Sequence, residues 1–221
     1  NFLWAIDNGT ENIKSFKLKA EFEEPFSGVV YGKKYRFDSI ADRTYIKMHN
    51  MTIKTDILKL NNIVIDEHLY YVDSEYILYP IPYVDTIIFI KDLVYYYRIG
   101  RAGQSVGVDK MKIYESHYDK VLKSLCSFYK GLNDKTLCSK SKKKYIAGVI
   151  ARIVAGRLKV ALSFPLKSNK KKTVVEFESL LKASNRDIYD ANINLAVNIL
   201  RRTNYLTFGL MSLVYKSVNK L

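Results

Sequence analysis

Near residue 116 the chain changes character, and that step constrains its fold more than any other feature. Up to residue 116 there are 15 Lys and Arg against 16 Asp and Glu, a net of −1; from His117 to Leu221 the counts are 21 and 6, a net of +15. The periodicity changes at almost the same place. Before it, short β-branched and tyrosine-rich runs are punctuated by glycine, proline and asparagine, as strands and turns require. After it, apolar residues return every three or four positions, as in Tyr114, Tyr118, Val121, Leu122, Leu125 and Phe128, which is the period of a helix. The chain therefore reads as an α/β protein: residues 1–116 form a mixed sheet with helices, and residues 117–221 form an all-helical basic extension.

Length and composition exclude several classes. At 221 residues, 48% hydrophobic and 26% charged, the chain is an ordinary globular one, neither disordered nor low-complexity. Its two cysteines, Cys126 and Cys138, cannot supply a disulfide scaffold. No run of uncharged apolar residues is long enough for a conventional spanning helix. The opening Asn1-Phe2-Leu3-Trp4-Ala5-Ile6 is interrupted by Asp7 and Glu11 and does not read as a signal peptide. It has no initiator Met and begins inside an expected strand, so a fragment or processed chain is expected.

Element by element, strands are expected over 2–6 and 16–22 with a turn at Asn8-Gly9, then a short apolar stretch over 29–31. Residues 46–52 read as extended, 56–59 as one or two helical turns, and Asp73 as the start of a helix limited by Pro80 and Pro82. Strands follow over 86–90 and 93–99. Further helices are expected over 143–163, 173–184, 187–202 and 204–217, with Ile188, Ala191, Leu195 and Ile199 on the inner face of the third.

Three segments carry residue types suited to chemistry. In Tyr70-Tyr71-Val72-Asp73-Ser74-Glu75-Tyr76 two carboxylates lie two residues apart, so on a helix they take different faces. One can enter a cleft, where aromatic walls raise its pKa and suit it to general-base work, while the other makes a structural contact. The plainer account makes Asp73 a helix N-cap and Glu75 a solvated residue, and spacing alone favours it. Tyr95-Tyr96-Tyr97-Arg98-Ile99-Gly100-Arg101-Ala102-Gly103-Gln104-Ser105 places two arginines three apart on a glycine-containing loop, a grip for a diphosphate. The third segment, Tyr45 to Thr55, holds His49 and Thr52. No Walker loop, dinucleotide fingerprint, nucleophile elbow or HExxH is present, and the cysteine and histidine spacings do not suggest zinc.

Taken in order, His49-x-Met51-Thr52-x-Lys54-Thr55-x-Ile57-Leu58, then Tyr71 to Pro80, then Tyr97 to Val106, the chain resembles bacterial family 2 glycosyltransferases of GT-A fold, of the capsular and envelope polysaccharide type. The similarity covers roughly residues 1–130. It implies transfer of a sugar, with inversion, from a nucleotide-diphosphate donor to a hydroxyl of a glycan or lipid-linked acceptor. By the same resemblance Asp73 is the catalytic base and Glu75 the second acid of its motif. Arg98, Arg101, Gln104 and Ser105 bind the donor diphosphate, and His49 and Thr52 lie on the acceptor side. The family begins with a βαβ nucleotide-binding half whose carboxylates hold Mg²⁺ or Mn²⁺, and this sequence does not contain it. The expectation is therefore the acceptor-side, partial GT-A sheet of a longer enzyme, inactive by itself, with its metal ligands mostly elsewhere.

The basic half adds expectations about partners. Lys140, Lys142, Lys143 and Lys144, and Lys167 with Lys170, Lys171 and Lys172, form two clusters around an apolar segment. An anionic membrane surface fits this pattern, with a peripheral place at the inner face of the plasma membrane. The segment Tyr145 to Arg157 could lie flat there, or could pack on the protein with its arginines in water. A non-catalytic basic module binding nucleic acid or membrane is the alternative to the enzyme. Nucleic acid is disfavoured because the tyrosines and the basic residues are segregated rather than interleaved.

Overall fold

The computed structural model describes residues 2–6, 17–20, 25–99, 108–132 and 138–219. The described chain is rich in helix, with two small sheets in its first half, and it divides into two compact units. The first comprises Asn1–His68, Val72–Gly107 and Thr136–Lys142; the second comprises Leu69–Tyr71, Val108–Lys135 and Lys143–Leu221.

In the first unit, strand β1 (Phe2–Ile6) pairs antiparallel with β2 (Lys17–Ala20), in the register Leu3 opposite Ala20 to Ile6 opposite Lys17. The last strand, β5 (Tyr95–Ile99), runs parallel to β1, Phe2 opposite Tyr95 to Ile6 opposite Ile99. The order β2-β1-β5 is thus a mixed sheet, as expected. The turn expected at Asn8-Gly9 lies outside the described residues. A second sheet pairs β3 (Lys34–Arg36) with β4 (Thr86–Ile88).

The apolar stretch 29–31 is not a strand. Gly28 and Gly32 adopt φ of 77° and 79°, a left-handed conformation glycine tolerates, and Gly32 N–H donates to Phe89 O at 2.9 Å, so the strand begins only at Lys34. Edge-on contacts of Phe26 with Tyr35 and Phe89, centroids 5.4 and 5.6 Å apart, cover this sheet.

Helix α1 (Thr55–Leu60) ends at Asn61, and α2 (Asp73–Leu78) begins at Asp73. Residues 46–52, expected to be extended, contain a single 3-10 turn, Met48–Asn50. Phe37, Ile40, Leu78 and Ile81 are almost fully enclosed and form the core. Lys142 joins them: its side chain is buried, with Nζ donating to Pro82 O at 3.0 Å and 3.8 Å from Asp85. This member of the first lysine cluster is a structural residue.

The second unit holds α3 (Val108–Ile113), α4 (Glu115–Gly131), α5 (from Lys143 to Ser163, its first turn Lys140–Lys142 belonging to the first unit), α6 (Lys170–Ser184), α7 (Arg186–Asp190), α8 (Leu195–Arg202) and α9 (Phe208–Asn219). The segment Tyr145 to Arg157, which could have lain on a membrane, is instead core helix: Ile146, Ile150 and Val154 are fully buried. Arg157 is buried too, gripping both oxygens of Asp119 at 2.7 and 3.1 Å.

The helix expected over 187–202 is broken between Asp190 and Leu195. Asn192 Nδ2 donates to Ala151 O at 2.9 Å, Asn192 Oδ1 accepts from Asn194 N–H at 3.0 Å, and Asn194 caps Val197 N–H at 3.4 Å. These local bonds outcompete the helical ladder. The break shifts the phase of α8, so Val197 and Leu200 are buried while Leu195 and Ile199 are exposed, the reverse of the expected face. Helix α9 starts at Phe208 rather than 204, because Asn204 and Tyr205 take left-handed φ of 46° and 61°.

Candidate functional site

Parts of the three segments singled out in the sequence, the turn bearing His49, helix α2 and strand β5, pack together within the first unit. The Met48–Asn50 turn packs against both α2 and β5. Along β5 side chains alternate, so Tyr95 and Tyr97 share one face. The imidazole of His49 lies stacked over both, with centroids 5.4 Å from Tyr95 and 5.0 Å from Tyr97. The Tyr97 hydroxyl lies within the electrostatic reach of Asp73: burial, then the charge of Tyr95, then that of Asp73, raise its pKa from the ordinary phenol value. The helix that Asp73 opens and the strand that carries the tyrosines thus both pack against the turn bearing His49.

Asp73 is exposed as a residue, yet the protein around its carboxyl removes enough water to raise its pKa from the ordinary value. Its own N–H and that of Ser74, at the helix start, pull the other way and do not outweigh this. The result is a carboxylate that water reaches but does not fully hydrate. Glu75 differs. It is fully buried, and its Oε2 accepts the Asp66 N–H at 2.9 Å. Burial is the largest cause raising its pKa, the Asp66 N–H opposes it, and the Asp66 carboxyl adds to it. Glu75 therefore fastens the 63–68 connection to α2 rather than standing in solvent.

The other expected site residues are only partly brought together. Thr52 is exposed, two residues beyond the 3-10 turn. Arg98 follows Tyr97 directly, so it leaves β5 from the face opposite the His49–Tyr95–Tyr97 stack. Asp73, at the start of α2, and Arg98, on β5, expected to flank one cavity, come from two different elements of the first unit. Arg101, Gln104 and Ser105 lie outside the described residues. Tyr95 and Tyr97 were not singled out for a role; the period-two alternation in Tyr95-Tyr96-Tyr97 is the signal that identifies them. Among the described residues no group of three or more His, Cys, Asp or Glu side chains could hold a metal ion. The described residues near Asp73 thus do not fit a divalent cation, and no step below runs through one.

No family model, no curated protein and no solved structure matches the chain.

Proposed function

We propose that the first unit is the acceptor-side part of a GT-A-type inverting glycosyltransferase. Asp73 takes the proton of the acceptor hydroxyl while that oxygen attacks the anomeric carbon of a nucleotide-diphosphate sugar. The carbon–oxygen bond to the diphosphate breaks, and its electron pair leaves with the nucleotide diphosphate. What carries this reading is the half-hydrated Asp73 carboxylate at the start of α2, the helix packed against the turn that bears His49, with its charge felt at the Tyr97 phenol. An acid of raised pKa is the better base at neutral pH, and tyrosine faces suit the C–H faces of a sugar ring.

In this reading Glu75 positions α2. His49, its ring face covered by tyrosines, and Thr52 meet the acceptor, a glycan or lipid-linked hydroxyl. Arg98, Arg101, Gln104 and Ser105 serve the donor diphosphate by countering its growing charge. The enzyme works at the cytoplasmic face of the plasma membrane, peripherally held; among the described residues no helix is long and apolar enough to cross a membrane. The deciding experiment measures sugar transfer in the enzyme that joins this unit to a nucleotide-binding half. Asp73→Asn is expected to abolish transfer with folding intact, and near-normal transfer would remove the assignment.

A further inference from the structure

Helix α9 carries its apolar side chains on both faces. Phe208 and Ser212 are buried, and Ser212 Oγ donates to Leu162 O at 2.7 Å, which fixes the inner face against the end of α5. The opposite face shows Leu210, Leu213, Val214 and Val218, spaced by three and four residues, with Leu206 just before the helix. These five side chains are between 56% and 80% exposed. Leucines and valines aligned on one helical face are core-type residues without a core.

The charge of the segment that carries them has one sign. Asp190 is the last acidic residue of the chain; residues 191–221 contain Arg201, Arg202, Lys216 and Lys220 and no acid. Arg201 is held by Glu178 at 2.5 and 3.2 Å, whereas Arg202 stands exposed and Lys216 half-exposed. Leu162, the residue against which α9 is pinned, is followed within the next turn and a half by exposed Leu166 and Lys167, then by exposed Lys171 and by Lys172, whose Nζ lies 3.9 Å from the carboxylate of exposed Glu176. An apolar stripe on a segment whose own charges are all cationic matches a surface of acyl chains beneath phosphates. A second copy of this chain would bring the same cations to the same stripe, and a nucleic acid would leave the leucines uncovered.

We propose that α9 docks the second unit on an anionic lipid surface. It lies in the plane of the interface with Leu210, Leu213, Val214 and Val218 among the acyl chains, and with Arg202 and Lys216 at phosphate level. The inference is independent of sugar transfer and stands or falls separately.

The test is flotation of the full chain with vesicles of phosphatidylcholine alone or mixed with phosphatidylglycerol. Wild type is expected to float with the mixed vesicles and less so as salt rises. Leu210→Glu with Val214→Glu, both at exposed positions, is expected to lower the bound fraction about tenfold. Equal flotation of this variant overturns the proposal. So does absence of wild-type flotation, including the case in which sedimentation velocity shows a dimer that the variant dissolves, which would assign the stripe to a second copy. Should the double variant fail to fold, Leu213→Trp supplies a second reading. Its emission is expected to shift to the blue on mixed vesicles, read against the signal of the native Trp4, and unchanged emission overturns insertion.

Discussion

Asp73 and Glu75 stand two residues apart on one short helix, and the helix turns them into opposite surroundings. The Glu75 carboxyl is enclosed and bonded to the Asp66 N–H at 2.9 Å, while Asp73 stands at an exposed position at the start of the helix. One acid holds the helix in place and the other is left available.

For Asp73, the raised pKa sets a pH dependence. The folded chain holds this proton more tightly than the unfolded chain, so the stability attached to it is present below the ordinary value of 3.8 and is lost as pH rises through the folded value. Asp73→Asn removes this loss. The stability difference between variant and wild type, from urea unfolding, is expected to grow in the variant's favour just above pH 3.8 and then level. A difference flat across that window would contradict the desolvated carboxyl.

Glu75→Ala is expected to cost about 2 kcal/mol, because the Asp66 N–H loses its acceptor and a gap is left. Glu75→Gln keeps a carbonyl acceptor for that N–H and nearly the same volume, so its cost should be less than half as large. Chemical denaturation of the two variants decides the matter; equal losses would mean that the hydrogen bond contributes nothing.

Gly156 lies in α5 where Tyr118 crosses it. A Cβ there would sit 2.5 Å from the Tyr118 hydroxyl, which donates to Ile153 O at 3.0 Å. Alanine in a helix normally gains about 1 kcal/mol over glycine. Here the ring must move and give up its bond, so Gly156→Ala is expected to destabilise by about 1–2 kcal/mol. Thermal unfolding checks this, and adding Tyr118→Phe should recover part of the loss.

Arg157 is buried, and Asp119 neutralises it from a partly exposed position. Asp119→Ala is expected to cost about 2 kcal/mol, less than a fully enclosed pair, because Asp119 is already half in water and Glu115 keeps an oxygen 3.7 Å from the guanidinium. Asp119→Asn should lie between, and denaturant midpoints give the order.

Burial pushes the Cys126 thiol up to about 11, and Cys138 is buried. At pH 8 the thiolate of Cys126 is therefore scarce. Its reaction with a disulfide reagent is expected to run about 100-fold slower than that of a small thiol, and to reach the ordinary rate in denaturant.

Much of this arrangement was legible in the chain. Alternation and period gave β1, β2, β5, α1, α2 and α4 within a few residues, since each is governed by neighbours in sequence. The helix over 187–202 was misread because Asn192 finds Ala151 O, some forty positions away, and no periodicity records that bond. The stretch from Tyr145 to Arg157 is equally apolar on a membrane or in a core; burial against neighbouring helices decides between them. At the site, the spacing of Asp73 and Glu75 foretold different faces, but only packing revealed which of the two is enclosed.

The sequence by itself determined the two-part character of this protein: a neutral, tyrosine-rich sheet portion and a basic helical portion, because charge balance and hydrophobic period are local properties. Tertiary structure alone decided that His49 stacks on the Tyr95–Tyr97 face, that its turn packs against the helix opened by Asp73, and that α9 rather than α5 shows leucines to solvent. Those outcomes depend on contacts between residues distant in the chain, where desolvation and close packing act only after the elements have come together.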